Sequence, residues 1–462
     1  MVKADFLLEV GCEEIPAGMI ARAAEELRVT LEKYLTTENL LEGAPIEALG
    51  APRRLVAMAQ SVRLRQPDSA REVTGPPKSV AYDSAGRPTK AAESFAAKQG
   101  VAVSKLYIVS TPRGDYAAAR QIIRGRSAEE ILAQALPRAI QEITWPRSMY
   151  WTGPGGTHFI RPIRWIVALL GGKPIRFSLG GVATGRFSAG HRFLGKPKIP
   201  LAGVPDYEKR LRANFVLPRP VERRKKIEHE IHALTVKRGL RAHQDPLLLD
   251  LVTYLNEYPA VILGDFDPAY LDLPEEILIT VMRDHQKYFA VEHKNGELAP
   301  HFLAVINLDR DRAGLVRAGH ERVLRARFAD ARFFWEADQK CRLADYLPKL
   351  AHVTYESRLG SYGDKVERLC SLARWLAEQW FGAGIHQAHV SDAYRAAELA
   401  KCDLATEMVR EFTELQGIVG GLYARAQGEA DDVADAVYDH YRPVGLDDPI
   451  PRNLIGCAVA MA

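Results

Sequence analysis

The sequence predicts an α+β multidomain chain, with mixed strands and helices first and an almost wholly helical region after them. Three observations predict it. A length of 462 residues exceeds what one hydrophobic core usually serves and suggests two to four domains. Hydrophobic residues make up 47% and charged residues 26%, enough to bury cores and too apolar for a disordered chain. Strand-like and helical segments are interspersed up to about residue 310, and helical periodicity dominates from about 311 onward.

The opening segment, Asp5 to Pro16, reads as a strand followed by a turn at Ile15-Pro16. Residues 17–36 follow a helical period, with Met19, Ile20, Ala23, Leu27 and Leu31 on one stripe. Segments 54–63 and 105–109 read as short strands, and Gly75-Pro76-Pro77 and Gly86-Arg87-Pro88 as loops before a helix at 89–99. An amphipathic helix is expected at 127–142, a turn at Gly153–Gly156, and a buried strand or short helix at Ile160–Leu170. Strand-like pieces continue to about Leu194. Pro197 to Pro205 holds three prolines and is the expected linker. Beyond it, helices are predicted at 219–239 and 245–256. Two β-rich runs flank Asn295-Gly296, which predicts a hairpin over 287–306 closed by a type I′ turn. In the helix expected at Glu321–Ala337, Leu324, Phe328, Ala331 and Trp335 form a core stripe, with Arg322, Arg325 and Arg332 on an adjoining face.

No stretch approaches the ~18–20 apolar residues of a membrane helix, and the acidic N-terminus lacks the plan of a signal peptide. Five scattered cysteines without a CxxC pair argue against a disulfide framework or zinc ribbon, so a cytoplasmic setting is the expectation. The net charge of +4 decides little, but its distribution is uneven. Eleven Lys or Arg residues between Lys209 and Arg241 face only Glu222, Glu228 and Glu230, and a second Arg-rich run spans Arg310 to Arg332. Such stretches suit a polyanion partner or a solvated helix face.

Phosphate-binding loops, GxGxxG, HExxH and GxSxG patterns are absent, as are the HIGH-like and KMSKS-like motifs of a class I synthetase. Nucleotide chemistry within this chain is therefore not expected. His158, His191, His285 and His320 sit beside aromatic or charged residues and read as packed groups rather than ligands. Cys402-Asp403 stands where a metal-dependent HD-type phosphohydrolase would need His-Asp, so no metal site is expected.

Ten segments then resemble one family. They are Leu8-Glu-Val-Gly-Cys-Glu-Glu-Ile-Pro-Ala17, Pro52-Arg-Arg-Leu55, Phe159-Ile-Arg-Pro-Ile-Arg-Trp165, Gly190-His-Arg-Phe193 and Leu273-Pro-Glu-Glu276. His285-Gln-Lys-Tyr-Phe289, Gly319-His-Glu-Arg-Val-Leu324, Ala329-Asp-Ala-Arg-Phe-Phe-Trp335, Leu359-Gly-Ser-Tyr-Gly-Asp-Lys365 and Glu411-Phe-Thr-Glu-Leu-Gln-Gly417 complete the set. Together they resemble the β subunit of bacterial heterotetrameric glycyl-tRNA synthetase; Ala51 departs from the more usual Thr before Pro-Arg-Arg.

The resemblance implies the tRNA-binding subunit of an α2β2 glycine–tRNA ligase. It places ATP, Mg and glycine on the separate α subunit, with no cofactor on this chain. It also implies a B3/B4-like α+β region at 1–200, a middle body region at 201–310 and an HD-like helical domain at 311–462. The chain then reads as the N-terminal two-thirds of such a subunit, without the anticodon-binding region. Candidate tRNA contacts, on charge and motif position, are Arg53, Arg54, Arg161, Arg164, Arg223, Arg224, Lys225, Lys226, Arg322, Arg325 and Arg332; on the helix of Arg322, Arg325 and Arg332, guanidinium groups about a turn apart can follow successive phosphates. Two alternatives stay open: an HD-type phosphohydrolase, and a docking scaffold without RNA contact.

Overall fold

The computed structural model describes residues 2–43, 45–150, 153, 155–381 and 387–462. It divides into two compact units, Met1–Arg223 with Thr253–Tyr258, and Arg224–Val252 with Pro259–Ala462. Both units mix helices with sheets, so the α/β character expected of the first part extends past residue 224, and the helical region follows within the second unit.

The first unit is built on a seven-stranded sheet. Its longer strands are β1 (Lys3–Cys12), β2 (Ile46–Ala51) and β3 (Arg54–Arg63). A separate three-stranded sheet comprises β4 (Ser69–Pro77), β5 (Tyr107–Thr111) and β6 (Gly114–Ile123). The two-residue β7 (Met149–Tyr150) and β8 (His158–Phe159) pair with each other. After them come β9 (Ile163–Leu170), β10 (Lys173–Pro174), β11 (Ser178–Leu179) and β12 (Val182–Gly185), then the paired β13 (Phe187–Ser188) and β14 (Ile199–Pro200). The main sheet runs β11-β12-β9-β1-β3-β2, with β10 on β9, and only β12 lies parallel to its neighbour β9.

β1 is central and buried on both faces, which explains its nearly continuous apolar run. Phe6, Leu8 and Val10 pack against the buried stripes of α1 (Ala17–Thr37) and, after the short α2 (Lys78–Ala81) and α3 (Lys90–Lys98), of α4 (Ala128–Gln141). Leu7 faces the other way, toward Tyr207 and Leu211 of α5 (Val204–Arg212). Ser127 caps α4 by accepting the Glu130 N–H at 3.3 Å.

Three expectations need correction. Pro197–Pro205 is not a free linker: Ile199 and Leu201 are buried in the same core as Leu7, and β14 pairs with β13. Gly75-Pro76-Pro77 belongs to β4 rather than a loop; β4 pairs only with β6, and its register slips between Thr74 and Pro77, where the prolines have no N–H to donate. Of the expected turn at Gly153–Gly156, Pro154 lies outside the described residues, and Gly156 N–H donates to Gly153 O at 3.0 Å.

The second unit begins within α6 (Pro220–Val236). A four-stranded sheet follows, of order β15-β17-β18-β16. Its members are β15 (Arg241–Ala242), β16 (Ala260–Asp265) after α7 (Pro246–Leu255), and β17 (Tyr288–Glu292) and β18 (Leu298–Ile306) after α8 (Glu275–Thr280). Phe289, Val291 and Leu303 pack with Ile227 and Leu248, while Tyr288, Phe302 and Ala304 face the helices beyond. That second core runs without a break into Leu324, Phe328 and Ala331 of α9 (Leu315–Asp338) and on through α10 (Tyr362–Phe381), α11 (Gln387–Leu399), α12 (Glu407–Glu411), α13 (Ile418–Ala426), α14 (Asp431–Asp439) and α15 (Leu454–Met461). One core therefore spans residue 310.

The hairpin forms where expected but with another turn. His293 N–H donates to Glu297 O and Gly296 N–H to His293 O, and of Asn295 and Gly296 only Gly296 has positive φ, at 94°. This is a three-residue loop ending in a left-handed glycine, not a type I′ turn.

Candidate functional site

Four short segments, distant in sequence, meet in the first unit. The chain after β1 is held by Cys12 N–H on Arg53 O at 2.9 Å, Ile15 N–H on Pro52 O at 2.7 Å and Glu13 N–H on Pro162 O at 3.1 Å. The loop 190–195 closes on itself through Gly195 N–H to His191 O at 2.9 Å, and is tied down by His191 N–H to Asn214 O at 3.0 Å. A Cβ on Gly195 would lie 2.5 Å from Asn214 O, so only glycine lets these backbones approach. Gly11 has a different reason: a Cβ there would fall inside the Trp165 ring, 1.8 Å from its nearest atom.

Beneath these loops lies a buried ionic layer. Glu9, Arg54 and Glu257 are each 0–1% exposed. The Arg54 Nη2 donates to Glu257 Oε1 at 2.8 Å and to Ala189 O at 2.9 Å, its Nη1 donates to Ser188 Oγ at 3.2 Å, and Glu9 Oε1 lies 3.5 Å away. Glu9 Oε1 also accepts from Ser188 Oγ at 2.6 Å and from Trp165 Nε1. Burial works against the Arg54 charge, but Glu257 and Glu9 outweigh it and hold the guanidinium protonated.

Above this layer the cations reach water. Arg164 Nε donates to Glu13 at 2.6 Å, and Arg192 Nη2 bridges Glu13 at 2.5 Å and Glu14 at 2.8 Å. The Arg192 hydrogen bond, with Arg164 beside it, holds the Glu13 carboxyl below the usual carboxylate range. Arg161 Nε donates to Glu14 O at 3.0 Å, and Arg53 lies 3.9 Å from Glu14. These groups border a cavity of about 550 Å³ lined by Arg53, Arg164, Trp165, Phe187, His191 and Arg192, with Lys198 at its edge.

Among the described groups at this site, Ser188 Oγ is committed to Glu9 and the Cys12 thiol is buried, which pushes its ionisation up and leaves it inert. What the arrangement offers is recognition: guanidinium forks with spare donors beside aromatic faces.

The remaining candidates divide sharply. Two of the expected tRNA contacts are corrected by their burial. Arg54 is one. Arg223 is the other: it is fully buried, donates to the carbonyls of Leu217, Pro218, Thr253 and Gly50, and burial pulls its pKa down to about 10. Both guanidiniums are consumed by internal acceptors and present nothing to a partner.

In the second unit, Arg224 pairs with Glu228 at 3.1 Å and with Asp250, and Lys226 pairs with Glu230. Arg332 donates to Ala269 O and lies over the Tyr270 ring at 4.6 Å. Lys225, Arg322 and Arg325 are exposed, and among the described residues no ion pair engages them. Sequence reasoning missed Arg192, Phe187 and Phe193 as members of the first-unit site, although Gly190-His-Arg-Phe193 was among the segments that carried the resemblance.

Around Cys402-Asp403, where an HD-type hydrolase would need His-Asp, the structure has a buried cluster. Lys401, Asp403 and His440 are buried, Asp403 accepts the Gly417 N–H at 2.5 Å, and Cys402 Sγ lies 3.4 Å from Glu398 O. Among the described residues no three His, Cys, Asp or Glu side chains stand together to hold a metal ion.

The family model described as glycyl-tRNA synthetase beta subunit matches residues 6–462. A glycine–tRNA ligase beta subunit of Acidobacterium capsulatum is 46% identical over 466 residues, covering 99% of this chain and 65% of that protein. Those of Anaeromyxobacter dehalogenans and Citrifermentans bemidjiense are 42% and 40% identical, each over 99% of this chain and 65% and 66% of their own lengths. The chain thus spans about two thirds of the length of the curated relatives it matches, 65% of the first of them.

Proposed function

The chain belongs to the glycyl-tRNA synthetase β-subunit family, and from that premise we propose that it binds and orients glycine tRNA for ATP-dependent glycylation on a partner α subunit. The observation that carries the proposal is the family match over residues 6–462. In this reading ATP and Mg are handled by the α subunit, the assembly is α2β2 and cytoplasmic, residues 1–200 form the B3/B4-like region, 201–310 the body region and 311–462 the HD-like domain. Holding the acceptor end in place converts a bimolecular encounter into an oriented one, which is a large share of such a barrier.

The exposed cations support the reading. Arg322 and Arg325 project from α9 without an ion pair among the described residues, Lys225 does so from α6, and Arg161 and Arg164 keep donors to spare. A-form RNA is met chiefly through its backbone, for which such groups are suited.

The test is binding of glycine tRNA and of a non-cognate tRNA to the 462-residue chain across a salt series. Measurable affinity that falls steeply with salt is the expected result, because each neutralised phosphate releases counterions. A chain that binds neither tRNA at low salt would sink the proposal.

A further inference from the structure

The cavity beneath the loop 190–195 carries features that tRNA backbone contacts alone do not use. Phe187, 50% exposed, lines the cavity with Arg192 and Lys198, and Phe193, 80% exposed, stands just outside that lining with its ring centroid 6.3 Å from that of His191, so two phenyl faces stand in water. Large aromatics held in water beside cations are the pattern of a base-stacking platform on a backbone-binding groove. His191 adds a second observation. It is 1% exposed and lines the cavity, and its Nδ1 accepts the N–H groups of Phe193 and Leu194 at 3.3 and 3.2 Å. The ring proton therefore sits on Nε2, a buried donor with no acceptor among the described residues. A buried donor left unsatisfied costs free energy unless a ligand supplies the acceptor.

The charge balance favours an anion. Arg53, Arg164, Arg192 and Lys198 surround the cavity, while Glu13 and Glu14 are already engaged by Arg164 and Arg192. Four positive groups against two negative ones leave an excess of two. A volume of about 550 Å³ lies within the range that takes a small ligand.

We propose that this cavity is a subsite for one unpaired nucleotide of an RNA, its phosphate on Arg164, Arg192 and Lys198, its base against Phe193 or Phe187, and an acceptor of the nucleotide meeting His191 Nε2. This rests on the tRNA-binding reading for the source of the nucleotide. A paired base has its faces covered by its neighbours in the stack, so duplex RNA does not fit the platform.

The experiment uses the whole chain and a fluorescent single-stranded pentanucleotide RNA, with an unlabelled duplex and AMP as competitors and glycine tRNA measured in parallel. Phe193→Ala and Lys198→Ala change exposed side chains, and a thermal melt checks that both variants fold as the parent does. The pentanucleotide is expected to bind, to resist the duplex competitor, and to lose about tenfold or more in affinity in Phe193→Ala, the cost of removing one stacked base. Lys198→Ala is expected to weaken binding and flatten its salt slope by about 0.7.

Unchanged affinity in both variants overturns the subsite, and if tRNA still binds, the tRNA-binding reading survives that loss. Pentanucleotide binding that depends on Phe193, in a chain that ignores tRNA, upholds the subsite and removes the other reading. Competition by AMP as strong as that by the unlabelled oligonucleotide overturns the RNA source and assigns the site to a free mononucleotide.

Discussion

Arg54 and Arg53 are neighbours in sequence with opposite fates, and the difference is decided by strand geometry. Arg54 opens β3 and points into the unit, where it meets Glu257, 203 residues away in the chain. Taking one guanidinium from water is costly, but here two carboxylates, a hydroxyl and a carbonyl answer its donors. Truncation would strand Glu9 and Glu257 as buried charges. Arg54→Ala is therefore expected to lose about 3–5 kcal/mol of stability in urea unfolding, whereas Arg53→Ala, whose side chain makes a 3.5 Å bond to Gly190 O, a 3.9 Å ion pair with Glu14 and a cation–π contact 5.4 Å from the Trp165 ring, loses about 1 kcal/mol. An Arg54→Ala protein unfolding within about 1 kcal/mol of the parent would show that the ionic layer is not what holds these loops.

At the scale of elements, the helices were legible because their apolar residues repeat at 3.6. Of the expected stripe, Leu324, Phe328 and Ala331 are buried as that period requires and Trp335 is half-buried against the same core, while Arg322 and Arg325 on the adjoining face meet solvent. Arg332 was not separable from them by spacing, since only the fold brings Ala269 and Tyr270 to its guanidinium. The same limit hid the first-unit site. Motif by motif the sequence marked residues 8–17, 52–55, 159–165 and 190–193, but their convergence depends on β-sheet pairing between strands more than a hundred residues apart. Pro197–Pro205 misled because proline content marks a rigid segment as readily as a linker, and here β-pairing and buried Ile199 use that rigidity.

Since α9 presents two exposed cations that no ion pair engages among the described residues, reversing both has a clean expectation. Arg322→Glu with Arg325→Glu should weaken all tRNAs by a similar factor and lower the salt slope by about 2, with the melting temperature unchanged. Loss of discrimination between tRNAs at an unchanged salt slope would instead mean that α9 reads bases or shape rather than phosphate.

For the molecule as a whole, 62 basic and 58 acidic side chains nearly cancel, so pH acts on stability through the few ionisable groups that folding buries rather than through net charge. Lys401 dominates near neutrality. Burial pulls its ammonium down to about 7 from 10.5, against the opposing pull of Asp403, with Lys365 adding repulsion and the Tyr441 ring 3.6 Å away. Its other buried neighbours titrate elsewhere: burial pushes Asp403 up to about 6 and His440 down to about 3.

Between pH 7 and 10.5 the unfolded chain holds a proton at Lys401 that the folded chain has released, so the unfolded state binds more protons and stability rises with pH. Above about pH 9 the trend reverses, because burial raises the thiols of Cys12, Cys370 and Cys402 and the folded state then holds the extra protons. From pH 7 to 8.5 the gain should be about 1–2 kcal/mol, seen as a melting temperature higher by a few degrees at the upper pH. Lys401→Met removes the titrating group while keeping an unbranched chain in the same space, and its melting temperature should be level across that interval. A parent protein whose melting temperature stays flat or falls from pH 7 to 8.5, or a Lys401→Met protein that keeps the rise, would show that the ammonium remains charged beside Asp403 in the folded core.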